Sequence, residues 1–123
     1  MFATAAMNII GSLAFLPAIH ALRGMSGFPV AAPPVYLLTI GAFILIFGVA
    51  YLWVAVTGVA DKLFVAVSAA GKLAFFAILV WCWAAGTLPA LAVLSGLGDL
   101  VFGSLFLIWL YTANSRASQY PAR

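Results

Sequence analysis

Four long apolar runs, separated by turn-forming residues, constrain this chain more than any other feature. They cover residues 2–22, 34–57, 63–85 and 89–112. Each has the roughly 20 residues that a helix needs to cross a hydrocarbon core of about 30 Å. The composition leaves no other solvent for them. Hydrophobic residues make up 67% of the chain and charged residues 6%, whereas a soluble domain is about half apolar and about a quarter charged. A water-soluble fold would have almost no polar surface to present. A bilayer accepts helices that are apolar on every face.

The breaks between the runs carry turn chemistry. Gly24, Gly27, Pro29, Pro33 and Pro34 mark a loop between the first and second runs, and Pro34 suits the first turn of a helix. Residues 57–62 form a short turn that keeps Asp61 and Lys62 wet. Gly86 can end the third helix and Pro89 can begin the fourth. Short links make consecutive helices antiparallel neighbours. The expected fold is an all-α, antiparallel bundle of four transmembrane helices over residues 1–112, followed by a polar tail over 113–123. The first run lacks a basic leader and is long for a signal sequence, so it is read as a retained span.

Charge places the bundle in the membrane. Lys62, Arg116 and Arg123 fall on the side shared by both termini, and only Arg23 falls on the other. Cytoplasmic loops carry the excess of Lys and Arg, so both termini are expected in the cytoplasm of a bacterial inner membrane. Tyr51, Trp53, Trp109 and Tyr111 then sit at the cytoplasmic helix ends, and Tyr36, Trp81 and Trp83 at the opposite ends. Trp and Tyr favour both interfaces.

Two charges lie inside the spans. Lys72 is ten residues beyond Lys62, roughly 15 Å in from the cytoplasmic face, and Asp99 is thirteen residues before Thr112, roughly 20 Å from the same face. A tight link makes their helices neighbours, so the two are expected to pair near the midplane. An unpaired charge there costs at least ~2.5–3.5 kcal/mol, and an intramembrane ionisable residue is a functional hypothesis by default. The pair reads either as a lock between two helices or as a site for a substrate, proton or ligand. The small residues around it, Ser68, Ala69, Gly71, Ser95, Gly96, Gly98 and Gly103, fit both readings. They let helices approach closely, or they leave a cavity that Phe75, Phe76 and Phe102 would line.

Tyr36, Phe43, Phe47 and Tyr51 share one face of the second run, with Gly41 and Gly48 on a neighbouring face. They read as packing with two interfacial phenols, or as a groove for an isoprenoid, quinone or carotenoid. Asn8 is expected to hydrogen-bond across to another helix. His20 and Arg23 share a helix face and read as a corner that binds lipid phosphates. Cys82 and His20 stand alone among their kinds. That excludes an internal disulfide and a Cys/His metal site within one chain, and the sequence requires no cofactor. Without a basic patch there is no case for nucleic acid.

Gly48, Tyr51 and Trp53, then Gly71, Lys72, Phe75 and Phe76, then Gly98, Asp99, Phe102, Phe106 and Trp109 resemble small bacterial membrane proteins loosely similar to the DoxX-like four-helix group. The resemblance implies a four-helix bundle of the inner membrane and supplies no activity. Three functions fit these residues. The leading one is a non-enzymatic accessory subunit or self-associating bundle, with membrane lipids, further copies or a larger membrane protein as partners. The second is an oligomeric transporter or channel for a small solute or proton. The third is a lipid- or isoprenoid-binding or -modifying protein with Asp99 as acid or base. As an enzyme it would rest on one acid, which seldom suffices alone.

Overall fold

The computed structural model describes residues 1–119. Among these every regular element is a helix. Helix α1 spans Phe2–Leu13, a 3₁₀ turn covers Pro17–Ile19, and α2 spans His20–Met25. Helix α3 runs Pro34–Thr57, α4 Lys62–Ala84, α5 Ala90–Ser95 and α6 Leu97–Gln119. Three segments are long and apolar enough to cross a membrane: Pro34–Thr57, Lys62–Ala84 and Ala90–Ser115. The α1–α2 segment counts as a fourth only if its two bent parts form one span.

That first segment corrects the sequence expectation of a helix over 2–22. The chain bends by 88° between Phe2–Leu13 and Pro17–Met25. The cause is Pro17. Inside a helix it would forfeit a hydrogen bond and press its ring on a carbonyl one turn earlier. The helix therefore stops at Leu13, and Pro17 instead opens the 3₁₀ turn. The 12 residues of α1 rise only about 18 Å, short of a full hydrocarbon core.

The other ends follow their sequence signals. Pro34 sits in the first turn of α3, and Gly58 closes that helix at φ +70°. Asp61 caps α4 by accepting a hydrogen bond from the Phe64 N–H at 3.0 Å. Gly86, at φ +72°, ends α4. Its N–H reaches the Trp83 carbonyl and the Thr87 N–H the Cys82 carbonyl, both at 2.9 Å, which is the Schellman arrangement. The fourth run is interrupted at Gly96, so α5 and α6 are separate helices. Helix α6 also continues past Thr112 into the segment expected to be a polar tail. Tyr120 to Arg123 lie outside the described residues.

Two helix pairs dominate the packing: α1 against α3, and α4 against α6. Glycines make both close. A Cβ at Gly48 of α3 would lie 3.1 Å from the Ile9 backbone N of α1, and one at Gly103 of α6 would lie 2.9 Å from Leu73 of α4. The pairs meet at one end, where Ala5, Tyr51, Val65, Ala69 and Phe106 form a buried core. Tyr51 is 1% exposed, so it is a core residue and not the interfacial phenol expected. Its ring packs on Phe64 and Phe106 at 5.5 and 5.8 Å. Tyr36, at the other end of α3, is 64% exposed.

Candidate functional site

Lys72 is the hub of the polar interior. It is on α4, and its Nζ donates to Asp99 Oδ1 of α6 at 2.7 Å and to Asn8 Oδ1 of α1 at 3.0 Å. It also lies 5.5 Å from the centroid of the Tyr51 ring on α3, within cation–π range. Asn8 in turn donates through Nδ2 to the Ile44 carbonyl of α3 at 3.5 Å. One ammonium group thus ties four helices together. The Lys72 side chain is 6% exposed and that of Asp99 20%. The break at Gly96 places Asp99 in the first turn of α6, where the positive end of the helix dipole favours a carboxylate.

These groups line a cavity of about 410 Å³ bounded by α1, α3 and α4, within the usual size range of small-molecule sites. On α3 its wall runs from Ile40 through Phe43 and Phe47 to Tyr51, about 16 Å along the helix axis. On α4 the wall is Val67, Ser68, Gly71, Lys72 and Phe75. Ser95 of α5 completes the polar side. The small residues divide by role. Gly103 serves close packing, whereas a Cβ at Gly71 would meet nothing within 4 Å and so faces open space.

Ser68 is 2% exposed, and its hydroxyl has no hydrogen-bond partner. The Tyr51 side chain lies beside it without meeting hydrogen-bond geometry. Buried hydroxyls are nearly always satisfied; Ser68 shares its lack of a partner with Thr4, and of the two only Ser68 lines the cavity.

The far end of the cavity has a roof that the sequence did not suggest. Phe28 lies between Phe15 and Phe75, tilted against the first at 6.1 Å and stacked on the second at 6.4 Å between centroids. The roof is held by Arg23, which corrects the expected head-group corner. Arg23 is 2% exposed. Its Nε donates to the Pro29 carbonyl at 3.1 Å, one terminal nitrogen to Ala14 at 3.1 Å, and the other to Val30 at 2.7 Å. The end of α1 leaves the Ala14 carbonyl without a helical partner, and this guanidinium satisfies it together with two carbonyls of the loop after α2. His20 stays exposed, apart from it. Gly27, at φ +79°, lets the loop rest on α5, where a Cβ would come 2.7 Å from the Ala92 N.

Of the residues expected to line a pocket, Ser68, Phe75, Ser95 and Tyr51 do so. Tyr36, Phe76 and Phe102 do not, since Tyr36 lies at the exposed end of α3 and Phe76 packs toward Gly96. Sequence reasoning missed Phe15 and Phe28, which sit in a segment without helical periodicity. The pocket offers hydrogen bonding and one neutralised charge pair within a largely apolar lining. Among the described residues no group of three His, Cys, Asp or Glu is placed to hold a metal ion. Comparison with protein-family models, curated proteins and solved structures finds no match for this chain.

Proposed function

We propose that this chain is an integral protein of the bacterial cytoplasmic membrane that binds a lipid-like molecule, its apolar chain along the α3–α4 cleft and its polar head at Lys72 and Asp99. The observation that carries the reading is the cavity itself, lined mostly by apolar side chains with Lys72, Asp99, Asn8 and Ser68 among them. A transporter of small polar solutes fits less well, because the walls away from Lys72, Asp99, Asn8 and the serines are apolar and give an ion no path. A purely structural lock leaves the cavity and the orphaned Ser68 hydroxyl without a purpose. The binding reading needs no enzymatic step, and it is compatible with service as a subunit of a larger membrane assembly.

Gly71 supplies the test. Leucine there projects into the cavity and meets no neighbour within 4 Å of its Cβ. It also removes a helix-interior glycine, worth about 1 kcal/mol in helix propensity. The Gly71→Leu variant is expected to be as stable as wild type or more so, and to lose the bound molecule. Native mass spectrometry of the detergent-extracted protein reads both species. A wild-type protein that carries nothing, or a variant that retains the same adduct, sinks the proposal.

A further inference from the structure

The chemistry of the cavity's polar end defines the head group it takes. Resting on the binding reading above, we infer that the occupant carries an uncharged hydroxyl head: a long-chain alcohol, not an acid, an amine or a phosphate ester.

Three observations lead there. The first is charge. Lys72 and Asp99 neutralise each other at 2.7 Å, and no other ionisable side chain lines the cavity apart from the Tyr51 phenol. An added carboxylate or ammonium would bring an uncompensated charge into a site walled by Phe43, Phe47 and Phe75, and burying an unpaired charge is costly. The second is unused hydrogen-bonding capacity. A lysine ammonium has three donors; two are engaged, by Asn8 and Asp99, and the third is met only by the face of the Tyr51 ring, a weaker contact than a hydroxyl would offer. Asp99 is held through Oδ1, and among the described residues no hydrogen bond reaches its other oxygen. Ser68 adds a buried hydroxyl with no partner. The vacancies are thus a donor, an acceptor and a group that is both, and a hydroxyl donates once and accepts twice. A ketone or ether accepts only and leaves Asp99 unmet.

The third is depth. Lys72 lies about 15 Å along α4 from Lys62, near the middle of a roughly 30 Å core. Phosphate heads belong at the interface, and a head that reaches this site must tolerate the interior. A lone hydroxyl does so at far lower cost than an ion.

The experiment offers three amphiphiles of equal chain length together: cetyl alcohol, palmitate and cetylamine, in nanodiscs containing the full protein. After repurification, mass spectrometry measures what stays bound. The alcohol is expected to be enriched at least about tenfold over either charged analogue, and Gly71→Leu is expected to abolish that enrichment. Ser68→Ala is expected to cut alcohol retention several-fold without lowering the unfolding temperature, because the empty protein loses only an unsatisfied hydroxyl. Preferential retention of palmitate or cetylamine, or equal retention of all three, overturns the head-group inference and leaves the cleft as a lipid site. Retention of none overturns the binding reading itself. If Ser68→Ala retains the alcohol as wild type does, Ser68 is not part of the head-group site and the donor–acceptor argument fails with it.

Discussion

At the scale of single residues, Lys72 does the most to connect the structure. Its ammonium contacts Asp99, Asn8 and the face of Tyr51, so its loss would leave a carboxylate buried beside an apolar cavity. Breaking a buried pair from one side costs about 3–5 kcal/mol, whereas replacing both partners with apolar or neutral groups is often close to neutral. Lys72→Met and Asp99→Asn are each expected to destabilise the protein by about that amount, and the double variant by clearly less than their sum. Unfolding in mixed detergent micelles measures this cycle, and additive losses would show that the two side chains are not coupled. Lys72 and Asp99 were legible as a pair because depth along a helix follows from residue count. The orphaned hydroxyl of Ser68 was not legible, because satisfaction depends on which groups arrive from other helices.

At the scale of elements, the α1–α2 turn decides the shape of the cavity. Pro17 stops α1 early, the chain turns by 88°, and residues 26–28 return to roof the space beneath. Arg23 makes this turn tolerable in an apolar setting by satisfying three carbonyls. Hydrogen bonds to a charged donor contribute about 1.5–3 kcal/mol each, and orphaned carbonyls cost about as much. Arg23→Ala is therefore expected to lower stability by at least about 3 kcal/mol. Arg23→Lys should recover only part of that, since a point-like ammonium cannot span the fork geometry of a guanidinium. Thermal unfolding in detergent distinguishes the two. An alanine variant of wild-type stability would show that the turn does not depend on Arg23. The proline was in plain view in the sequence. The apolar run continues past it, and hydrophobicity alone does not register a broken backbone.

At the scale of the whole molecule, the burial of Arg23 sharpens the charge asymmetry. It was the one basic residue expected on the far side, and it is engaged internally. Lys62, exposed and hydrogen-bonded to Asn114 at 2.9 Å, remains at the end where α4 begins and α6 continues. The positive-inside tendency places that end in the cytoplasm. With Cys82 replaced by serine, a cysteine at Val59 is expected to resist a membrane-impermeant maleimide in intact cells and one at Ala31 to react. The reverse pattern would invert the topology.

The sequence by itself determined where the apolar runs lie, how α3 and α4 end, and how far along their runs the two interior charges stand. Those properties follow from hydrophobic length, from local backbone preference and from a fixed rise per residue. Only the tertiary structure decided that Tyr51 is buried, that Gly103 packs while Gly71 opens onto space, and that an aromatic roof closes one end of the cleft. Each of these depends on which helix faces which. In a chain apolar on nearly every face, periodicity carries little information about that choice, and it is made by close-packing glycines and a handful of polar contacts between helices.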